Sequence, residues 1–334
     1  MTLARKNVLV TGGAGFIGSA LVRELVKKGA NTIVYDNFSS GDISNLREIQ
    51  DSIKVIKGDA MDSGFRHILR ENDVEYVFHL AAEPYIPKCY HYPERFFQVN
   101  ALGTLRVLNA CKEVGVKRVL HYSTSEVYGT AKYVPMDEEH PTRPLSTYAV
   151  SKLAADRICY TMYHEHNVPT VILRQFNVYG PRETQPYVIP EIITQLSKSE
   201  EVKLGNTNAR RDFTYVEDAV KGALALIENP EAEGEVVNLG TGKDYSIREL
   251  VHITSELMEC DSVEIIVEPE RLRVLDVELL RCDYSKARKL IGWKPEVDIR
   301  EGLRRTIKWF QEHGSKWIWE EKIAPEERVW KGKL

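Results

Sequence analysis

Residues 6–18 read KNVLVTGGAGFIG. The first six, 6–11, form a short run rich in β-branched residues, which is typical of a strand buried in a parallel sheet. The glycine-rich turn leads into apolar residues at helical spacing, and Gly29 is placed to end this helix. Residues 32–35 (TIVY) form the next strand, with Asp36 at its end. The stretch therefore predicts a strand, turn, helix and strand, the first unit of a doubly wound α/β fold.

The same unit is typical of a dinucleotide site. Its glycines let the backbone approach a pyrophosphate at the helix N-terminus, and an acid at the end of the second strand accepts the hydroxyls of the adenosine ribose. Asp36 also predicts the choice of cofactor, because its carboxylate repels a 2′-phosphate. Residues 37–40 (NFSS) contain no arginine that would bind one. The sequence therefore predicts NAD rather than NADP.

A second motif, TYAVSK at 147–152, carries acid–base chemistry. Residues four apart share one face of a helix, so Tyr148 and Lys152 are expected to project side by side. An isolated tyrosine has a pKa of about 10, and a nearby ammonium favours the phenolate. Lowering that pKa by about three units takes roughly 4 kcal/mol, which the lysine and a bound cationic nicotinamide are expected to supply together. The pair predicts a base that takes a proton from an alcohol while hydride leaves its carbon.

Composition narrows the class of protein. The 334 residues can bury a large core, and a formal charge of −4 with a pI near 6.2 argues against a nucleic-acid partner. Five scattered cysteines without Cys-x-x-Cys spacing predict reduced thiols in the cytosol. No signal peptide and no apolar run of about 20 residues is found, so we expect a cytoplasmic protein without a membrane partner.

Alternating strands and helices continue along the chain. Strands are predicted at 53–57, 76–80, 118–123 and 170–176, and a helix containing Asn100 at 96–111. Small or polar residues follow most of these strands. Because ligands bind beyond the carboxyl ends of parallel strands, we expect these side chains to meet at one edge.

Nine stretches in order over about 300 residues resemble the extended short-chain dehydrogenases/reductases that act on nucleotide sugars. They are TGGAGFIG (11–18), DNFSSG (36–41), HLAA (79–82), NALGT (100–104), YSTSEVYG (122–129), YAVSK (148–152), FNVYGPR (176–182), RRDFTYVEDAV (210–220) and NLGTG (238–242).

The resemblance implies a Rossmann doubly wound parallel sheet with a smaller C-terminal α/β lobe. Residues 1–178 and 213–242 would bind NAD, and residues 179–212 and 243–334 would grip a UDP-, dTDP-, GDP- or CDP-sugar. It also implies a homodimer formed through helices 93–113 and 147–165. No metal is expected.

The motifs and the resemblance together give a set of expected site residues. The catalytic ones are Thr124, Glu126, Tyr148 and Lys152. Those expected to bind the cofactor are Gly12, Gly15, Phe16, Ile17, Gly18, Asp36, Asn37, Ser40, Asp59, Ala60, Leu80, Ala81, Ala82, Asn100, Ser123, Tyr148 and Lys152. Those expected to bind the substrate are Glu83, Thr124, Ser125, Glu126, Asn177, Arg182, Arg211, Arg271 and Arg273.

Arginines are suited to the substrate diphosphate because a guanidinium binds phosphate in a bidentate manner. By resemblance, Arg211 is the first candidate. The stretch RLRVLDV at 271–277 departs from the commoner Arg-Pro-Gly-Asp-Val pattern, which leaves Arg271 and Arg273 as alternatives for the second contact.

Three reactions share a first step, in which Tyr148 takes the proton of the sugar C4 hydroxyl and hydride goes to NAD. A 4-epimerase rotates the keto sugar and returns the hydride to the other face. A 4,6-dehydratase instead removes the C5 proton, expels the C6 hydroxyl as water and delivers the hydride to C6, so it needs a further acid/base group. Glu126, two residues after Thr124, is the candidate for that group.

Resemblance ranks these reactions. Epimerases usually carry a small residue where Glu126 stands, dTDP-glucose 4,6-dehydratases carry Asp-Glu, and GDP-mannose 4,6-dehydratases and UDP-glucuronate decarboxylases carry Ser-Glu, as here. Residues 130–138, 174–196 and 277–295 are most similar to UDP-N-acetylglucosamine 4,6-dehydratases of legionaminic-acid-type pathways. That reaction is the prediction, with the epimerase and the decarboxylase as alternatives. A non-catalytic NAD sensor is disfavoured by the presence of Thr124, Tyr148 and Lys152 together.

Overall fold

The computed structural model describes residues 2–323. The end of the predicted substrate lobe, 324–334, lies outside the described residues. The strands are β1 Asn7–Thr11, β2 Asn31–Asp36, β3 Ile53–Lys57, β4 Tyr76–His79, β5 Arg118–Thr124, β6 Thr170–Gln175, β7 Asn177–Tyr179, β8 Glu201–Leu204, β9 Arg210–Tyr215, β10 Val236–Leu239, β11 Asp244–Ser246 and β12 Glu264–Val267.

Helices alternate with these strands. The α-helices are α1 Phe16–Lys27, α2 Phe65–Glu71, α3 Ile86–His91, α4 Pro93–Phe96, α5 Gly103–Val114, α6 Thr147–His166, α7 Val188–Leu196, α8 Val216–Glu228, α9 Ile247–Leu257, α10 Ser285–Ile291 and α11 Ile299–Glu312. Short 3₁₀ segments cover Ile43–Ser52, Ser125–Tyr128, Pro230–Ala232, Pro269–Arg271 and Ile318–Glu321, and a π-helical turn covers Phe97–Leu102.

Within residues 2–323, seven parallel strands form the main sheet in the order β10-β6-β5-β4-β1-β2-β3. The order turns back at β1, so β2 and β3 lie on one side of it and β4, β5, β6 and β10 on the other. This arrangement confirms the predicted doubly wound sheet. A crevice forms beyond the carboxyl ends of the strands at such a reversal.

The first unit folds as its sequence indicates, and two glycines explain why. Gly12 has φ +70°, and a Cβ there would lie 2.8 Å from the backbone nitrogen of Ala81. A Cβ on Gly18 would lie 2.1 Å from the carbonyl oxygen of Gly12. Real Cβ atoms do not approach so closely, so the turn can pack against the end of β4 only with glycine at these positions.

A second lobe stands over the carboxyl edge of the main sheet. It contains a three-stranded sheet in the order β11-β9-β7 and a parallel pair, β8 with β12. Helices α7 and α9 pack together there, and α11 packs on α9 and β9. The exact division of the chain into a cofactor domain and a substrate lobe remains a prediction.

A buried carboxylate joins the two parts. Asp212 on β9 is fully buried and accepts hydrogen bonds from the backbone N–H and hydroxyl of Thr241, at 2.7 and 2.6 Å. It also accepts from the N–H groups of Gly242 at 2.8 Å and Cys282 at 3.1 Å. Burial raises the pKa of Asp212 to about 6, so it is ionised at neutral pH and can satisfy all four donors.

No helix within residues 2–323 combines the length and the apolar character that crossing a bilayer requires.

Replacing Asp212 with Asn tests this junction. The amide offers one oxygen to donors that approach both carboxylate oxygens, so at least one buried donor loses its partner. We expect the free energy of unfolding to fall by about 2–4 kcal/mol. Urea denaturation measures the loss, and exposed Asp261→Asn is the matched control. Equal stability of the two variants would contradict this role.

Candidate active site

A cavity of about 420 Å³ lies at the carboxyl edge of the main sheet, beneath the second lobe. One end is formed by the glycine turn and Asp36, and the other by Arg211 and the loop that carries Arg271 and Arg273. Nearly all the predicted site residues line this single cavity.

The part of the cavity that is expected to hold the cofactor, here called the cofactor arm, begins at the glycine turn. The Asp36 carboxylate accepts hydrogen bonds from the N–H groups of Ala14 at 2.9 Å and Phe38 at 2.8 Å, which fix it at the tip of β2. The small side chains of Ala81 and Ala82 leave room beside the turn. Ser123 Oγ is buried and has no hydrogen-bond partner within residues 2–323. These features fit a bound dinucleotide. The backbone of the glycine turn can approach a pyrophosphate, Asp36 can accept hydrogen bonds from ribose hydroxyls, and the Ser123 hydroxyl is available to the ligand.

The far end of this arm holds an ion-pair chain that the sequence did not reveal. Asp59 accepts a hydrogen bond from Asn37 at 2.8 Å. Arg95 lies 3.7 Å from Asp59 and donates to Glu83 at 3.2 Å. Arg95 lies on the short helix α4 and belongs to no recognised motif. Its position in the chain does not indicate that its side chain reaches the cavity.

Asn100 does not line the cavity, although it is buried and within the π-helical turn that interrupts the helix predicted over 96–111. Its side chain bonds the N–H of Glu83 at 2.8 Å, the carbonyl of Glu83 at 3.1 Å and Ser151 Oγ at 2.9 Å. Both N–H donors of the amide and one acceptor position of its oxygen are used on the protein, so Asn100 fixes the backbone of Glu83 in the cavity wall. Its contact with a cofactor stays a prediction.

The candidate catalytic residues lie on two neighbouring elements. Strand β5 ends at Thr124, whose hydroxyl accepts from the N–H of Glu126 at 3.2 Å and also bonds Tyr148. Helix α6 starts at Thr147 because the Ser146 side chain caps it by accepting from the N–H of Ala149. Tyr148 and Lys152, four residues apart on this helix, both line the cavity together with Thr124.

Burial shifts the pKa values of both members of this pair. Burial raises the pKa of Tyr148 above its ordinary value, and the Thr124 hydroxyl only partly opposes this. Burial also lowers the pKa of Lys152 to about 8, and its ammonium donates to the Tyr122 carbonyl at 2.5 Å. The charges of Glu126 and Asp156 raise the pKa of Tyr148 further, so the hydroxyl is neutral in the protein without a ligand. A further positive charge beside Tyr148 is required.

Glu126 lies inside the cavity and is only 8% exposed. Its Oε1 is 4.0 Å from Arg211 Nε, and its charge helps to raise the pKa of Tyr148. The carboxylate is therefore held between the catalytic tyrosine and a buried cation. It does not point into bulk water.

The two arginine alternatives lie at the other end of the cavity, here called the substrate arm, and have different partners. Arg211 and Arg273 approach the same oxygen of Asp276, at 3.6 and 3.5 Å, and Asn206 donates to the other oxygen at 3.0 Å. Arg271 also lines the cavity but pairs with Glu191 at 3.7 Å and Glu268 at 2.8 Å. Arg211 and Arg273 are thus the convergent pair. The Arg-x-x-Asp spacing, shared with Arg-Pro-Gly-Asp, is the signal that would have selected Arg273.

Arg182 lies outside the cavity. It adopts φ +67°, pairs with Glu48 at 2.8 Å and lies 5.7 Å from the ring of Trp309. Its contact with a substrate stays a prediction.

The other residues predicted to bind the cofactor or the substrate, apart from Asn100, line the cavity. Asn177 lines the cavity, and its side-chain oxygen is buried without a hydrogen-bond partner among the described residues, as suits a ligand contact. Lining residues that the sequence did not indicate include Tyr85, Arg95, Glu183, Tyr187, Asn206 and Asp276. No cluster of three or more acidic, histidine or cysteine side chains within residues 2–323 is arranged to hold a metal ion.

Comparison with known proteins agrees with this geometry. A UDP-N-acetylglucosamine 4-epimerase from Methanobrevibacter ruminantium, solved with UDP-N-acetylmuramic acid, superposes with a TM-score of 0.84 at 35% identity, covering 93% of this chain and 99% of that one. A dTDP-glucose 4,6-dehydratase from Streptomyces venezuelae, solved with NAD, gives 0.87 at 30% identity over 93% and 98%. A UDP-N-acetyl-alpha-D-glucosaminuronate decarboxylase from Bacillus cytotoxicus is 33% identical over 92% of this chain and 98% of its own length.

These relatives catalyse three different reactions, so similarity alone does not select one. The family model described as GDP-mannose 4,6 dehydratase matches residues 9–306, which includes the glycine turn, the Tyr148–Lys152 pair and Arg211. The chain therefore belongs to the GDP-mannose 4,6-dehydratase family of extended short-chain dehydrogenases/reductases, as its sequence motifs indicated.

Proposed function

We propose that this protein is an NAD-dependent nucleotide-sugar 4,6-dehydratase that converts UDP-N-acetylglucosamine to a 4-keto-6-deoxy sugar. The observation that carries the proposal is Glu126, a carboxylate buried in the cavity beside Tyr148. An epimerase needs no base there, whereas a dehydratase does.

Oxidation at C4 comes first. NAD in the cofactor arm would accept the hydride, and its cationic ring would add the positive charge that Tyr148 lacks. Tyr148 takes the proton of the C4 hydroxyl, and Thr124 holds the oxygen through its own hydroxyl. Lys152, anchored on the Tyr122 carbonyl, stabilises the phenolate.

Elimination follows from the acidity that the C4 ketone confers on the C5 proton. Glu126 takes that proton, the bond between C6 and its hydroxyl breaks, and the departing hydroxyl receives a proton from Glu126 to leave as water. Hydride is then returned to C6 and a proton to C5. The proton taken from the C4 hydroxyl balances the one added at C5.

The diphosphate of the substrate would lie against Arg211 and Arg273, whose guanidinium groups converge on Asp276. Asn177 offers an unpartnered oxygen nearby in the same cavity. The choice of UDP-N-acetylglucosamine rests on the resemblance of residues 130–138, 174–196 and 277–295 to dehydratases of that sugar.

A second candidate is a decarboxylase of UDP-hexuronates. It is favoured by Arg211, which lies 4.0 Å from Glu126 and offers a cation for a carboxylate on C5. The same first step makes the 4-ketone, and carbon dioxide is lost in place of water. The Bacillus cytotoxicus relative is named for this type of reaction.

Product analysis decides between the reactions. Purified protein is incubated separately with UDP-N-acetylglucosamine, UDP-glucuronate, dTDP-glucose and GDP-mannose, and the products are examined by mass spectrometry. Loss of one water supports the dehydratase, loss of carbon dioxide supports the decarboxylase, and an isomer of unchanged mass supports the epimerase.

Glu126→Gln tests the role of the carboxylate. The variant keeps Tyr148 and Lys152, so we expect it to form the 4-ketone and bound NADH, seen by absorbance, but to release dehydrated product about a thousandfold more slowly. Exposed Glu139→Gln is the control. Normal water loss by Glu126→Gln would refute the assignment.

Tyr148→Phe tests the shared first step and separates an enzyme from a sensor. We expect NAD to copurify as in the wild type, while reduction of the bound NAD by the sugar slows about a thousandfold. Tyr160→Phe, on the exposed side of the same helix, should behave as wild type. A Tyr148→Phe protein that still reduces its NAD would exclude this base.

We also propose a homodimer. Helix α6 and the α4–α5 segment expose apolar side chains: Phe97 is 40% exposed, Leu102 39%, Val150 40% and Tyr160 37%. These two helices carry the surface that the resemblance assigns to a bundle between subunits. Burying such a surface removes apolar area from water.

The double substitution Leu102→Glu with Val150→Glu should convert the dimer to a monomer, because it places charges in the apolar contact. Sedimentation velocity measures the change. Val267→Glu alters a similarly exposed residue elsewhere and should leave the dimer intact. A wild type that sediments as a monomer would exclude the dimer.

A further inference from the structure

A buried ion pair lies behind the catalytic lysine, and the mechanism above does not use it. Asp156 lies on α6, one helical turn after Lys152, and is 1% exposed. Its Oδ2 accepts a hydrogen bond of 2.9 Å from Nε of Arg174 on β6, which is also buried. Residues four apart on a helix are neighbours, so Lys152 and Asp156 share the inner face of α6.

Arg174 is itself held in place. Its Nη1 donates to the Tyr128 hydroxyl at 3.0 Å, and its guanidinium lies 4.9 Å from the ring of Tyr128. The Tyr128 hydroxyl donates to Asn238 Oδ1 at 2.8 Å. The arginine is therefore fixed from the side opposite Asp156, and the carboxylate it binds cannot turn away.

The second oxygen of Asp156 faces an uncharged neighbour. Oδ1 has no hydrogen-bond partner within residues 2–323 and lies 3.8 Å from Nε2 of His121. Burial, and then the charge of Lys152, lower the pKa of His121, so the ring is neutral at physiological pH. His121 consequently does not neutralise the carboxylate.

Counting charge shows what Asp156 contributes. With it, the core holds the Arg174 cation, the Asp156 anion and the Lys152 ammonium. Without it, two cations would share a buried site with no counter-charge. Arg174 cannot lose its proton under these conditions, whereas Lys152 can. The lysine would therefore become neutral first.

We propose that Asp156 is a positioning residue for the reaction: fixed by Arg174, its carboxylate keeps Lys152 charged beside Tyr148. The ammonium can then hold the Tyr122 carbonyl and stabilise the phenolate during hydride transfer. The inference rests on the C4 oxidation alone. That step is common to the dehydratase, the decarboxylase and the epimerase, so it does not depend on which of them the protein is.

The sign of the pH effect follows from the groups around Lys152. Desolvation lowers the pKa of Lys152 to about 8, and Asp156 and then Cys159 oppose this. The charged form is present below that pH and lost above it, so it sets an alkaline limit on the rate. Removing Asp156 moves this limit to lower pH. The charge of Lys152 also acts on two other titratable groups, His79 on β4 and His121 on β5, and Tyr148 lies on the same helix one turn before it.

The test is Asp156→Asn in the NAD-loaded protein. Reduction of the bound NAD in a single turnover is followed by absorbance across pH, with the sugar from the product assay that reduces it fastest. We expect the alkaline limb to move down by at least about one pH unit, and the rate at pH 8 to fall by about fivefold or more. Asp156→Glu, which keeps the charge, should restore most of the wild-type limb.

An unmoved alkaline limb in Asp156→Asn would overturn the proposal even if the variant were less stable, because a purely structural role predicts a lower rate at every pH. If Asp156→Asn fails to fold, Arg174→Gln is the second variant, because it removes the competing cation and leaves the Asp156 anion to act on Lys152. The limb should then move up, and an unmoved limb in that protein would equally exclude the role. Failure of the dehydratase assignment would instead appear in the mass of the product.

Discussion

The parallel alignment of the strands is the constraint on which the site depends. Strands β1, β2, β4, β5 and β6 all end at the same edge, with Thr124 of β5 in register with Gln175 of β6. The glycine turn, Asp36 and the catalytic hydroxyl are far apart in the chain yet follow neighbouring strands. Any shift of one strand by a residue would reverse the side of the sheet that its last side chain faces.

Burial also shifts the pKa values of the groups that are proposed to react. Desolvation raises the pKa of Tyr148 and lowers that of Lys152, so the pair is unfavourable when considered alone. The protein compensates through fixed partners: the Tyr122 carbonyl for the lysine, Arg211 beside Glu126, and Asp276 between two arginines.

The main sheet and the cofactor arm could be predicted from the sequence because their signals are local. The glycine turn, Asp36 and the Tyr148–Lys152 spacing each lie within a few residues, and the structure places them as expected. Arg95 and Asp276 could not be predicted, since only tertiary packing brings them to the cavity. Asn100 and Arg182 lie in matching motifs, but a π-helical turn and a left-handed backbone give their side chains other partners.

The π-helical turn of Phe97–Leu102 has a consequence for how this surface can evolve. One extra residue in a helix rotates everything beyond it by about 100°. Asn100 reaches Glu83 and Ser151 within that turn, while Phe97 and Leu102 face outward at its two ends. Deleting one residue would restore a regular α-helix. It would also rotate either Phe97 and Leu102 or the Asn100 amide away from its present position. The outer apolar surface and the wall of the cavity are therefore coupled through this turn. A sequence change that alters the position of one also alters the position of the other.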